Sequence, residues 1–390
     1  MKESTYDYNR RRRKKHKNRA FEVLTAIAAI VTICCAYAGN VNPVKFFAAP
    51  FMTLAFIPML IAIILLLVFA LVWRRWIAVL TVVAAMLISL PIIHMYIPLN
   101  NSENAPPVPA DTSLMLKVMT YNVLGFNYSD PVLHTEPSKS LRLILDAKPD
   151  VVLMQEGGSG GREWSIIPSI KPYLADIQIK YPYCYQSAEG LSIMSKYPFT
   201  TGTIGEPQQA RSPLGYNRDQ TSYIARYYDL QLPSGKQLRL VDFRLQSYHL
   251  SFGKSQYVRV SPDAKPSALE RMRRSFALRG DNASTLREGI DKSPDNVIVC
   301  GDMNDVPSSH VYRIIRGKDL HDAWLEVGNG YGHTFNLHHL YYRIDHILYR
   351  GELRALEAKR LKGGSSDHYP LMVTFDLDIT KNDINQSLNN

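Results

Sequence analysis

Five short stretches carry side chains able to do chemistry: Tyr121-Asn122, Gln155-Glu156, the run Gly301-Asp302-Met303-Asn304-Asp305, Arg343-Ile344-Asp345-His346, and Ser365-Ser366-Asp367-His368. Glu156 and Asn122 are hard oxygen donors of the kind Mg2+ takes, since it retains several waters and needs only one or two carboxylates. Asp302 and Asn304 stand two apart in a Gly-Asp-Met-Asn turn. From there both reach one point, Asp302 to orient an attacking water and Asn304 to contact a phosphoryl oxygen. His368 can serve as a base or hold charge in a transition state if a carboxylate such as Asp345 fixes its tautomer. This is equipment for metal-assisted phosphoester hydrolysis. Singly, each element has a plain explanation: a capping glutamate, a tight turn, a helix cap. Their company and order carry the case.

Strands must deliver these residues, because rigid elements hold a site and the loops at their ends shape it. The apolar runs Leu114–Thr120, Val151–Met154, Leu191–Ser195, Ser222–Leu230, Leu238–Leu245, Asn296–Cys300, Ile344–Tyr349 and Leu371–Leu377 read as strands. Helical spacing appears at Ser138–Ala147, Ser267–Gly289 and Ser309–Arg316. Strands outnumber helices, and the chemistry clusters where strands end.

All of this lies in residues 114–378. The first hundred residues read differently. Phe21 to Ala38, Phe46 to Trp73 and Trp76 to Leu99 are apolar runs, and the last two hold no charged residue. A bilayer core of ~30 Å asks for roughly 20 apolar residues in a helix, so three spanning helices are expected. A cleavable leader does not fit runs of this length. Basic residues sit at 10–19 and at Arg74–Arg75, while the loop between the first two spans holds only Lys45. The positive-inside rule then puts the N-terminus in the cytoplasm and everything after Leu99 outside the plasma (inner) membrane, in the periplasm if the cell is Gram-negative. The expected organisation is a basic tail (1–20), a membrane domain (21–99), a Pro-rich linker (100–113), a catalytic domain (114–378) and a frayed tail (379–390).

Charge follows the same division. Of the net +10, residues 1–19 carry +7, with nine Lys/Arg against Glu3 and Asp7, and residues 20–100 carry +2. The remaining 290 residues hold only +1, which argues against a large basic face for duplex DNA. The N-terminal basic run is read as a topology signal that touches anionic lipid rather than as a nucleic-acid arm.

Four cysteines in 390 residues exclude a disulfide-built scaffold. Cys300 reads as a buried thiol, and a bridge to Cys184 is disfavoured. His333, His338, His339, His346 and His368 are close in sequence, but their spacing matches no zinc motif. His346, beside Asp345 on a strand, should point to the opposite face and be structural. The glycine-rich run 157–161 lacks a P-loop ending and reads as a mobile loop at the rim of the site. Arg271, Arg273, Arg274 and Arg279 read as a solvated helix face.

In this order the motifs resemble the endonuclease/exonuclease/phosphatase superfamily, whose members include nucleases, sphingomyelinases, inositol-polyphosphate phosphatases and deadenylases. The matching residues are MTYNV at 119–123, VVLMQE at 151–156, LQS at 245–247, CGDMNDVP at 300–307, RIDHIL at 343–348 and SDHYPL at 366–371. The resemblance implies an α+β fold, two mixed β-sheets packed face to face with outer helices (a DNase I-like four-layer sandwich), here preceded by three transmembrane helices. It implies that Glu156 and Asn122, with Asp367 close by, form a Mg2+ site, with Mn2+ as an alternative. Asp302 would orient or deprotonate the water, Asn304 would bind phosphate, and Asp345 with His368 would form the orienting pair.

One position departs from the pattern. Where the family has a His before LQS, this chain has Arg244. Arginine stays protonated and is no general acid, yet it can hold a phosphoryl oxygen and stabilise developing charge. His249, moving in from the next turn, and loss of catalysis are the two other outcomes. The expected function is a membrane-anchored, Mg2+-dependent phosphoesterase acting outside the cytoplasm on a lipid headgroup or nucleic acid. The alternatives are an extracytoplasmic nuclease and a non-catalytic phosphate-binding sensor. The partners expected are the phosphoester substrate and the membrane, and nothing in the sequence calls for an obligate protein partner.

Overall fold

The computed structural model describes residues 5–100, 106, 114–127, 133–158, 163–187, 189–205, 208–209, 221–222, 224–247, 267–337 and 340–377. Two compact units divide the chain, Met1–Met95 with Ser308–His310, and Tyr96–Pro307 with Val311–Asn390.

The first unit is built from α1 (Thr5–Tyr37), α2 (Ala49–Val72) and α3 (Trp76–Tyr96). Their segments 19–40, 49–72 and 76–96 are long and apolar enough to cross a membrane. The apolar side chains face outward as well as inward, Leu65 and Leu80 among them, as a lipid-facing surface requires. The first helix starts well before the expected span at Phe21. The basic run 10–19 contains no Gly or Pro, and Arg and Lys are good helix formers, so the helix continues through it. The third stops at Tyr96 rather than Leu99, two residues short of Pro98, which disfavours helix in the residue before it.

Among the described residues, the second unit supplies sixteen strands. These are β1 (Met115–Asn122), β2 (Val151–Gln155), β3 (Tyr183–Gln186), β4 (Ser192–Ser195), β5 (Phe199–Ile204), β6 (Gln208–Gln209), β7 (Thr221–Ser222), β8 (Ala225–Gln231) and β9 (Gln237–Arg244), then β10 (Val297–Asp302), β11 (His321–Asp322), β12 (Phe335–Leu337), β13 (Leu340–Tyr342), β14 (Asp345–Arg350), β15 (Arg354–Arg360) and β16 (Leu371–Asp376). One six-stranded sheet runs β15-β16-β1-β2-β4-β3 and the other β11-β14-β10-β9-β8-β5, with two small ribbons beside them. Both are mixed. Each has one parallel pair at its centre, β1 with β2 and β9 with β10, and antiparallel neighbours around it.

Period-two burial explains the layers. Leu116 and Val118 of β1, Val151 and Leu153 of β2, and Ile298 and Cys300 of β10 meet between the sheets. Met119 and Tyr121 face outward, with Val152 and Met154, onto α4 (Lys139–Ala147), whose Leu141, Ile144 and Leu145 form its buried stripe. Ser138 caps α4 by accepting from the Leu141 amide. The long helix α6 (Ala268–Asp291) is capped in the same way by Ser267, which accepts from the Glu270 amide. The unit is the expected four-layer α+β sandwich of two mixed sheets with outer helices.

One polar bridge crosses the apolar interior. Gln155 Nε2 donates to Asp242 Oδ1 at 2.6 Å, tying β2 of one sheet to β9 of the other. Burial pushes the Asp242 carboxyl up to about 8, against the Gln155 hydrogen bond.

Candidate active site

The centres of both sheets end at the same place. Asn122 closes β1, Glu156 follows β2, Arg244 closes β9 and Asp302 closes β10. In the second sheet Asp302 is directly opposite both Arg244 and Asp345, so these three side chains share one face. Sequence motifs more than a hundred residues apart thus become neighbours through two parallel pairings and one antiparallel one.

Two turns set the chemistry. Glu156 and Asn304 hold left-handed backbone conformations, with φ of 55° and 49°, unusual for non-glycine residues and typical of constrained functional positions. Gly301 has its own reason: a Cβ there would lie 2.1 Å from the Phe243 carbonyl oxygen. The Gly-Asp step therefore lets β9 and β10 close together, and the Leu245 amide donates to the Asp302 carbonyl at 2.9 Å.

The buried wall is a chain of acid, imidazole and acid. His368 Nδ1 lies 2.8 Å from Asp345 Oδ2, and its Nε2 lies 3.9 Å from Asp302 Oδ2. The potential ligand atoms of Asp302, Asp345 and His368 fall within 4.8 Å of one another, and all three residues are buried. Thr334 Oγ1 accepts from the Ile344 and Asp345 amides and fixes the start of β14. Ser366 Oγ donates to the Asn122 carbonyl at 2.7 Å and accepts from the His368 amide, so the histidine loop is pinned to the end of β1.

Electrostatics follow from this packing. Burial favours neutral imidazole, but Asp345 and Asp302 outweigh it and take His368 up to about 10. Burial pushes Asp302 up to about 6, with Asp345 adding and His368 and Arg244 opposing. Their mutual attraction favours an imidazolium held between carboxylates. Burial also raises Asp367, which feels the nearby charge of Glu156.

Both asparagines have given away both side-chain amide hydrogens. Asn122 Nδ2 donates to Glu156 Oε1 at 3.0 Å and to Asp302 Oδ2 at 3.1 Å, while its Oδ1 accepts from the Leu124 amide. Asn304 Nδ2 donates to the Leu245 carbonyl and to Asp302 Oδ2, and its backbone N–H donates to Asp302 Oδ1. An amide nitrogen has two hydrogens to give, so as placed both residues aim carboxylates. The open wall holds Glu156 and Arg244, whose Nη2 lies 2.7 Å from Glu156 Oε1 with both side chains half-buried. All eight residues expected from the sequence therefore gather at one end of the sandwich.

Two other expectations change. Arg279 is not part of a solvated face: it is fully buried, donates to the Asn304 carbonyl, stacks on Phe276 and lies 4.0 Å from Asp305. Its i, i+4 spacing to Ser275 and Ala283, both buried, was the available signal. The glycine run after Glu156 starts as a packed segment, not a mobile one. Gly157 and Gly158 are buried, and Gly157 bonds the Gly190 carbonyl and the Trp164 indole; residues 159–161 lie outside the described residues. Cys184 and Cys300 are free thiols, and Cys300 is buried. His249, His338 and His339 also lie outside the described residues. His346 is buried on the opposite face from Asp345, 3.8 Å from Asp322, and is structural as expected.

Sequence reasoning missed the support behind Asp345. Arg343 Nη1 meets both oxygens of Asp322 at 3.1 and 2.9 Å, and Tyr312 donates to the same carboxylate at 2.7 Å. The RID motif pointed to this stretch, but nothing marked Asp322 as its partner.

The donor set fits a hard divalent ion. Glu156, Asp302, Asp345 and Asp367 bring four carboxylates against two cations, Arg244 and His368. The Asp345 Oδ1 atom is buried without a hydrogen-bond partner. Excess negative charge in a low-dielectric site is costly unless compensated, and oxygen donors without thiolates select Mg2+ or Mn2+.

A profile of the endonuclease/exonuclease/phosphatase family matches residues 119–368. Residues 18–96 match a domain of unknown function. No curated protein sequence matches the chain. Among solved structures, the chain is similar to a humanized TDP2 of D. rerio, with 19% identity, a TM-score of 0.45, and coverage of 67% of this chain and 99% of that one. It is also similar to the 3′ phosphatase NExo from Neisseria, bound to a product DNA hairpin, with 17% identity, a TM-score of 0.41 and coverage of 66% and 98%. A mannosyl-6-phosphatase of Bacteroides thetaiotaomicron gives 15% identity, a TM-score of 0.42 and coverage of 67% and 99%.

Proposed function

The chain belongs to the endonuclease/exonuclease/phosphatase family, and on that premise we propose that it is a membrane-anchored, Mg2+-dependent phosphoesterase whose catalytic domain faces outside the cytoplasm. The observation that carries this reading is the buried row Asp345, His368 and Asp302, closed against Asn122 and Glu156. The positions of the basic residues at 10–19 and 74–75 support the orientation.

Glu156 and Asp367 would hold the divalent ion, with Asn122 fixing the Glu156 carboxylate. When bound, that ion neutralises phosphoryl charge and stabilises the leaving oxygen. Asp302 orients the attacking water and takes its proton, and Asn304 and Asn122 aim its carboxylate. The His368 imidazolium, held by Asp345, stabilises the negative charge that grows on the phosphoryl oxygens. Arg244 offers a second permanent positive charge to the same oxygens.

The near-neutral charge of residues 101–390 favours a lipid phosphodiester or phosphorylated headgroup over nucleic acid as substrate. The test is turnover by the full-length protein in detergent. Three probes are compared: mixed micelles of phospholipid and phosphorylated lipid, a single-stranded oligonucleotide, and a chromogenic phosphomonoester. Mg2+-dependent cleavage of lipid alone supports the lipid reading, and cleavage of the oligonucleotide alone makes the protein a nuclease. Mg2+ and phosphate binding without turnover of any probe would make it a sensor.

A further inference from the structure

The Glu156 carboxylate already has a cation on it. Arg244 Nη2 sits 2.7 Å from Glu156 Oε1, the same oxygen that accepts from Asn122. The arginine is held in place from below, where its amide donates to the Ile224 carbonyl. It also acts on Asp302, whose carboxyl it stabilises as the anion. Its Nε is buried without a hydrogen-bond partner. A guanidinium remains protonated at any relevant pH, so this charge cannot be removed by titration. A cation that takes Glu156 Oε1 must push it aside.

We propose that Arg244 is a resident counter-ion that competes with the divalent metal for Glu156, and that metal binding hands the guanidinium over to the phosphoryl group. This rests on the reading of Glu156 as a metal ligand. In the metal-free state Arg244 neutralises Glu156 and keeps the open wall compact. A bound dication repels it, by an amount that is large at separations of a few ångströms even in a polarisable site. The displaced fork has Nη2 released and Nε already free, and these two N–H groups match two oxygens of a phosphate. Metal and phosphate binding are thereby coupled through one side chain, and the coupling is reciprocal. The arginine has opposite effects on the two ligands: it weakens the metal and strengthens the anion.

The test uses full-length protein in detergent and measures Mn2+ binding by titration calorimetry and electron spin resonance. Inorganic phosphate binding is then measured at saturating Mn2+. Arg244→Gln, with Arg244→Ala as a second variant should Gln misfold, is expected to bind Mn2+ about tenfold tighter and phosphate about tenfold weaker. A side chain with only a structural role would not move the two affinities in opposite directions. Unchanged or weaker Mn2+ binding overturns the competition, and unchanged phosphate binding overturns the handover. Glu156→Gln separates the underlying reading: it should weaken Mn2+ binding about 10–100-fold whatever stands at 244. Wild-type affinity in that variant would overturn the metal site itself.

Discussion

His368 is buried between two carboxylates, whereas Arg244, at the open side of the same site, keeps about a third of its side chain exposed (36%) and leaves Nε without a partner. The first wall is preorganised. Asp302 receives hydrogen bonds from Asn122 and from both the side chain and the backbone of Asn304, and Asp345 is held at the start of β14 by Thr334. The second, on the proposed handover, is exchangeable, its ion pair trading one cation for another. The difference suits a hydrolase that must keep its proton-handling groups rigid while a metal and a substrate come and go. It also separates two kinds of mutational effect, loss of rate on the buried wall and shift of affinity on the open one.

The largest effect should come from the hub of the buried wall. Asp302→Ala should lower kcat on the order of 10³–10⁴-fold while Mn2+ affinity, read by calorimetry, changes far less; equal losses in both would merge the two walls. Next is the pair behind it. Asp322→Asn strands the buried Arg343 guanidinium, and breaking such a pair costs about 3–5 kcal/mol, to be seen as a lower midpoint in thermal unfolding. The Asp322 carboxyl is held well below the usual range: burial works against this, but the Arg343 charge prevails, with Tyr312 donating to the same carboxylate. Its stabilisation is therefore present above the unfolded carboxylate pKa and fades as the solution is acidified below it. Asp345→Asn should cost about 10²-fold in kcat with little change in KM, since it removes the partner of His368 and no substrate contact.

On the open wall, Glu156→Gln should raise the Mn2+ concentration for half-maximal rate by about 10–100-fold, with much of kcat recovered at high metal. A rate that stays flat at every metal concentration would place Glu156 on the chemical side instead. The mildest prediction concerns pH. His368 rises from 6.5 unfolded to about 10 folded, so its contribution to stability is complete below the unfolded value and is lost as pH climbs towards about 10. Asp302, at about 6, should give the acid limb of the rate profile, with activity falling as it protonates. Asp345→Asn should lower the alkaline end of the stability profile and move the acid limb to lower pH, because the Asp345 charge helps to raise the Asp302 carboxyl.

Much of this site was legible because its residues sit in compact motifs at strand ends. Val151–Gln155 is uniformly buried, so a continuous apolar run identified it, and Glu156 followed directly. Positions that depend on tertiary pairing were not legible. Arg354–Arg360 is rich in Ala, Glu, Lys and Arg, yet it forms the edge strand β15 because it pairs with β16; such context overrides propensity. Tyr183–Gln186 and Phe199–Ile204 are half-exposed outer strands of their sheets and lack clean alternation. The expected strand from Ser222 begins instead at Ala225, with Ser222 in a separate ribbon with β6. Arg279 shows the same limit at the site. Its charge predicted solvent, while its place beneath the Asp302–Asn304 turn made it a buried donor. The Arg244–Glu156 pair could not be read either, because it joins residues from two different sheets.

The most direct measurement is the rate of hydrolysis of a chromogenic phosphodiester by the full-length protein in detergent, with Mg2+ and with EDTA, for wild type and Asp302→Ala. The account predicts turnover that requires the metal and falls on the order of 10³-fold or more in the variant. Turnover that survives EDTA, or that is the same in Asp302→Ala, would contradict it.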